Sequence, residues 1–250
     1  MTDLGDDPVE VVAVGAHPDD VELTLGGVMH KLSSLGIKAG IVDLTNAEPT
    51  PLNEKYRSPD DYDPDYAENR LKEAQDAARI LGVERITLDL PNRCLIDNFE
   101  ARCKLAAILR RWRPKVVMTI FGRTLMLSPD HYQAQAITEA AIFYSRLTKW
   151  DKYFDQLPVH RVKKLFFTPV DSFQFFPGSF LVDISEYAET KWNAILAYKS
   201  QFQNQGNYEY LNRYKEVNET LGSMIGVDYA EPLYSPDPLR IDDAIEKELL

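Results

Sequence analysis

The stretch VVAVGAHPDDVELTLGGVMHKLSSLG, residues 11–36, decides the fold. Residues 9–16 are a continuous apolar run that predicts a strand buried on both faces, and LGGVMHKLSSLG at 25–36 has the spacing of a helix closed by Gly36. Between them stands His-Pro-Asp-Asp. Adjacent carboxylates beside an imidazole repel each other and are costly to desolvate unless a proton, a cation or water compensates.

Working outward, the alternation continues. IKAGIVDLT at 37–45 predicts a second strand, 68–82 a helix closed by Gly82, 84–90 a strand, 101–114 a helix ending before proline, and 115–121 another strand. A helix at about 131–147, strands in RVKKLFFTP and SFLVDIS, and a helix over about 186–203 complete the pattern. Such alternation predicts an α/β fold, a Rossmann-like three-layer sandwich on a mostly parallel sheet, with ligands gathered at the carboxyl ends of the strands. No repeat or linker divides the chain, so 1–250 is expected to be one domain. The proline- and charge-rich stretch 49–66 predicts a long loop after the second strand, either a lid or an exposed insertion.

Composition narrows the function. A net charge of −11 and a pI near 4.9 repel phosphate backbones, which argues against nucleic acid as a partner. The two cysteines, Cys94 and Cys103, are too few for a disulfide framework and lack zinc-ribbon spacing, as in a reducing compartment. Nowhere do about 18 apolar residues run together, and the N-terminus has neither a basic nor an apolar leader region. The expectation is a cytoplasmic protein with no membrane partner.

His17 and Asp20, three apart across Pro18, can chelate one ion from a strand end; the competing reading is a helix entry capped by Asp19 or Asp20. LSPDHYQAQAITEAA at 127–141 places Asp130 and His131 at the head of a helix after a strand, at another carboxyl-end loop. His17, Asp20 and His131 together make the ligand set of a catalytic zinc with one open position, leaving Asp19 to take a proton from water. A nucleotide-binding loop is excluded because GAHPDDVELTLGG lacks the G-x-G-x-x-G turn and its aspartates would repel a pyrophosphate.

GAHPDD, the PDH stretch at 129–131, DLTNAE at 43–48 and NRLKEAQDAARILG at 69–82 together resemble the LmbE-like, or PIG-L, zinc-dependent N-deacetylases. AILAYKSQF at 194–202 and IGVDYAE at 225–231 resemble more narrowly the branch that deacetylates N-acetylglucosaminyl-malate in bacillithiol synthesis, although neither carries obvious chemistry. The resemblance implies zinc ligands at His17, Asp20 and His131 and a general base at Asp19, with zinc polarising an amide carbonyl and acidifying the attacking water. It also implies substrate contacts from Arg70 and Glu48, an amino-sugar substrate, and a homo-oligomer, often a hexamer. Other divalent ions such as Fe2+ accept the same ligands. An amidase acting on thiol conjugates of a pseudodisaccharide would use the same chemistry.

One position departs from the family. Where a histidine usually precedes PDH to stabilise the oxyanion, this chain has Ser128, on the substrate side, and loss of one such donor typically costs about 100- to 1000-fold in rate. His160 and Arg123 carry enough positive charge to substitute; His30, within a helix, is not expected to take part. Asp130 then has a catalytic role either with the missing donor or in orienting His131. The competing function is a family member with altered or decayed catalysis that binds metal and carbohydrate or serves as an assembly subunit.

Overall fold

The computed structural model describes residues 8–47, 66–121, 127–170, 178–202 and 208–239. The strands are β1 (Val11–Gly15), β2 (Ala39–Thr45), β3 (Glu84–Leu90), β4 (Val116–Phe121), β5 (Lys164–Pro169), β6 (Ser179–Asp183) and β7 (Ala230–Tyr234). The helices are α1 (Asp20–Ser34), α2 (Tyr66–Leu81), α3 (Phe99–Trp112), α4 (Pro129–Ser145), α5 (Ala188–Leu196), α6 (Lys199–Phe202) and α7 (Tyr208–Ile225).

All strands join one sheet in the order β3-β2-β1-β4-β5-β7-β6. The first five named are mutually parallel, while β7 runs antiparallel to both β5 and β6. Because side chains alternate along a strand, β1 sends Val11 and Ala13 to one face and Val12 and Val14 to the other. On the first face they meet Leu25 and Met29 of α1, Ala74 and Ala77 of α2, and Trp192 and Ile195 of α5. On the second they meet Leu105 and Leu109 of α3 and Ile137 of α4. Helix, sheet and helix thus form the three layers that the alternation predicts. Gly40 makes the second interface close: a Cβ there would stand 2.8 Å from the ring of Trp112.

Three local differences from the sequence expectations have physical causes. The first helix begins at Asp20 rather than Leu25, because the Asp20 carboxylate accepts hydrogen bonds from the Ala16 and His17 N–H groups (3.0 and 2.8 Å) and folds the chain sharply out of β1. The helix expected over 186–203 is divided into α5 and α6, with the fully buried Tyr198 at the break. Helix α7 and strand β7 were not read in the sequence; α7 buries Leu211, Tyr214, Val217 and Leu221 at helical spacing, but tyrosine and charged residues dilute its apolar signal.

The chain leaves β1 toward β2 and β3 on one side, and β4 and β5 lie on the other, so the sheet reverses its order between β1 and β4. The carboxyl ends of these two strands are the place where an open parallel sheet receives a ligand. Among the described residues no helix is long and apolar enough to cross a membrane.

Candidate active site

His17 follows β1, Asp20 opens α1, and His131 lies in the first turn of α4, which follows β4. One ligand atom from each lies within 4.8 Å of the others, and the two imidazole centroids are 5.2 Å apart. Asp20 is the centre of the cluster, with Oδ2 3.4 Å from His17 Nδ1 and Oδ1 3.2 Å from His131 Nε2. A tetrahedral zinc with ligands at about 2.0–2.1 Å sets its donors roughly 3.3 Å apart, so the three ligand atoms would draw closer from separations of up to 4.8 Å. His131 Nδ1 is buried with no hydrogen-bond partner among the described residues. Two imidazoles and a carboxylate, one of them with an orphaned nitrogen, are a donor set that fits zinc or another transition metal.

The charges agree with this. Burial by itself would depress His17, but the charge of Asp20, hydrogen bonds to Asp130 and Asp20 and the charge of Asp19 hold it up to about 10. Asp20 is held well below the usual carboxylate range; burial opposes this, and His131 and His17 outweigh it. Asp19 moves the other way, raised by burial against the pull of Arg70, with the charge of Asp20 adding to the rise. The cluster demands positive charge, which a proton on His17 or a metal ion supplies at the same place.

Asp19 sits at the N-cap position of α1 with φ 105°, in a left-handed conformation that costs a non-glycine residue of order 1–3 kcal/mol. Its side chain does not cap the helix. Instead the carboxylate accepts from Arg70 Nη2 at 2.7 Å, and the same nitrogen donates to the Pro18 carbonyl at 2.6 Å. Arg70 reaches these groups from α2 and is only 2% exposed. Asp130 packs against His17, with Oδ2 3.2 Å from Nε2, and accepts from the Arg93 N–H at 2.6 Å. It therefore contacts the imidazole of the other strand end rather than that of His131, since consecutive helical residues point in different directions.

Ser128 is the N-cap of α4, its Oγ accepting from the Asp130 N–H at 3.3 Å. His160 is far from the cluster: Nε2 is 2.7 Å from the carbonyl of Pro114, which precedes β4, while the ligands follow it. The length of β4, roughly 20 Å at 3.3 Å per residue, separates them. Glu48, Arg123 and all of 49–66 except the start of α2 at Tyr66 lie outside the described residues. His30 faces the Leu81 carbonyl on α2, Cys103 is buried in the α3 core and Cys94 is exposed. Sequence inspection missed Tyr210 and Tyr214 of α7. Burial raises both hydroxyls, and the charges of Asp19 and Asp20 add to the rise. Their i,i+4 spacing, with hydroxyls 3.2 Å apart, was the available signal.

Comparison with known proteins follows the same lines. The PIG-L family, described as GlcNAc-PI de-N-acetylase, matches residues 12–142, which hold His17, Asp20 and His131. The diacetylchitobiose deacetylase of Thermococcus kodakarensis is 27% identical over 90% of this chain and 82% of its own. A conserved protein of Thermus thermophilus superposes with a TM-score of 0.76 at 35% identity, over 94% of this chain and 97% of that one. The N,N'-diacetylchitobiose deacetylase of Pyrococcus horikoshii superposes with a TM-score of 0.77 at 25% identity, over 90% and 82%. With the family match spanning more than half of its residues, this chain belongs to the PIG-L family of de-N-acetylases.

Proposed function

We propose that the protein is a metal-dependent hydrolase that removes the acetyl group from an N-acetylated amino sugar or an N-acetylglucosaminyl conjugate. The observation that carries this reading is the convergence of His17, Asp20 and His131 at the switch between β1 and β4. These three residues would hold Zn2+, or another divalent ion such as Fe2+. When bound, the metal supplies Lewis acidity toward the amide carbonyl and toward water.

The remaining steps belong to the chain. Asp19, whose carboxyl is raised by burial, takes a proton from the attacking water and returns it to the amine nitrogen as the C–N bond breaks. Arg70 fixes Asp19 through the pair of hydrogen bonds from Nη2 and keeps its carboxylate at the mouth of the cluster. Asp130 orients His17. Ser128 and Glu48 are assigned to the substrate, and the Ser128 hydroxyl is an uncharged donor where the family resemblance implies a histidine. The products are acetate and the free amino sugar.

The test is amine release from a panel of N-acetylglucosamine conjugates by zinc-loaded wild type and Asp19→Ala. Turnover by the wild type that falls about 100- to 10,000-fold in the variant, at unchanged metal content, is expected of a lost general base. One zinc per chain with no release from any conjugate would instead establish the binding or assembly role.

A further inference from the structure

AILAYKSQF at 194–202 carries no group that touches the metal cluster, yet the fold drives its tyrosine into the floor of the site. Tyr198 lies at the break between α5 and α6, where the backbone turns inward; its carbonyl accepts from the N–H groups of Gln201 and Phe202, both at 3.0 Å. The ring is fully buried. The guanidinium carbon of Arg70 sits 4.9 Å from its centroid, and that of Arg85 sits 6.0 Å from it. The hydroxyl donates to Glu22 Oε1 at 2.9 Å, and Glu22 also accepts from Arg85 Nη1 at 2.5 Å. Arg85 closes the arrangement with a two-pronged pair to Asp43 at 2.7 and 2.6 Å.

The two guanidinium groups differ in what holds them. Arg85 is locked by two carboxylates that are themselves fully buried. Arg70 donates from Nη2 to the Pro18 carbonyl and to the Asp19 carboxylate. The Tyr198 ring lies against the same guanidinium and holds it, since an aromatic face attracts a cation over it. The next residues tie the same segment to the helix that carries Arg70: the N–H and Oγ of Ser200 donate to the Glu73 carboxylate at 2.8 and 2.6 Å. Ring and guanidinium are therefore held at a fixed separation by their own backbones.

We propose that Tyr198 is a positioning residue for the deacetylation: its ring holds Arg70 in the one orientation that pins Asp19 in its left-handed conformation beside the metal ligands. Through it the C-terminal third of the chain becomes part of the catalytic apparatus. The inference rests on the function proposed above for Asp19, and its test separates the two.

Kinetics of wild type, Tyr198→Phe, Tyr198→Leu, Arg70→Ala and the Arg70→Ala/Tyr198→Leu double variant are measured on an N-acetylglucosamine conjugate, together with zinc content. Tyr198→Phe keeps the aromatic face and is expected within about threefold of wild-type kcat, whereas Tyr198→Leu loses about 10- to 100-fold in kcat with KM and zinc content unchanged. Residues that act through one another are non-additive, so the double variant should be no slower than Arg70→Ala alone. Losses that multiply, a loss confined to KM, or equal losses in the Phe and Leu variants would overturn the proposal. Should Tyr198→Leu not fold, Tyr198→Met replaces it. A crystal structure of the Leu or Met variant decides independently of turnover: Arg70 displaced from Asp19 supports the proposal, and Arg70 unmoved at 2.7 Å overturns it even if the wild type hydrolyses nothing.

Discussion

At the scale of the residue, His-Pro-Asp-Asp divides two adjacent carboxylates between opposite tasks. The carboxylate of Asp20 turns back to the strand, accepts two backbone N–H groups and meets both imidazoles, whereas that of Asp19 turns out to Arg70. The helix-entry reading of the sequence had one of them capping the helix, and the folded chain shows that neither carboxylate does so. One consequence concerns metal uptake. His17 keeps its proton up to about 10 in the metal-free chain, and a metal needs the neutral ring, so binding must expel that proton. Apparent zinc affinity is therefore expected to rise as pH goes from 7 toward 10 and to level off above it. Calorimetry at pH 7.5 in buffers of different ionisation enthalpy should show net proton release, and buffer-independent heats would contradict this.

At the scale of the element, α1 is the piece on which the site is built, and two features fix it. Gly27 faces Ile184 so closely that a Cβ would lie 2.6 Å from Cδ1. Gly27→Ala is expected to destabilise the fold by about 1–3 kcal/mol through overpacking despite the better helix propensity of alanine, measured by urea unfolding. Further along, the fully buried Glu231 of β7 accepts from the N–H groups of Gly27 and Val28 and pairs with Lys191 of α5 at 2.7 Å. Lys191→Met leaves that carboxylate buried without its cation and should cost about 3–5 kcal/mol. Glu231 belongs to the IGVDYAE stretch, whose likeness to relatives had no evident chemistry; its carboxylate anchors the helix that starts in the metal motif.

At the scale of the whole molecule, the cluster bridges the ends of two strands separated in sequence by more than a hundred residues, so ligand binding and folding are linked. Zinc held at 100 times its dissociation constant should stabilise the native chain by about 2.7 kcal/mol. The melting temperature of the wild type is thus expected to rise with zinc and to fall back with a chelator, while Asp20→Asn shows no such shift. An equal rise in both proteins would mean that the stabilising zinc binds elsewhere.

The sequence by itself determined the layered architecture, because strand and helix periodicities are local and survive without a partner: β1 to β4 and α2 to α4 lie close to where the apolar spacing puts them. It also put His17, Asp20 and His131 at neighbouring strand ends, where the fold brings them together, since turn geometry and strand ends carry short motifs to one edge of a parallel sheet. Long-range packing decided the rest. Whether Asp130 meets His17 or His131 depends on the rotation of α4 about its axis, and no motif encodes that angle. His160 had the right chemistry and the wrong end of the sheet, a matter of which strand terminus its loop reaches. Tyr198 and Glu231 acquire their roles only when the last third of the chain folds over α1 and α2, because buried charge is satisfied by whatever the tertiary fold brings to it, and the order of residues along the chain does not say what that is.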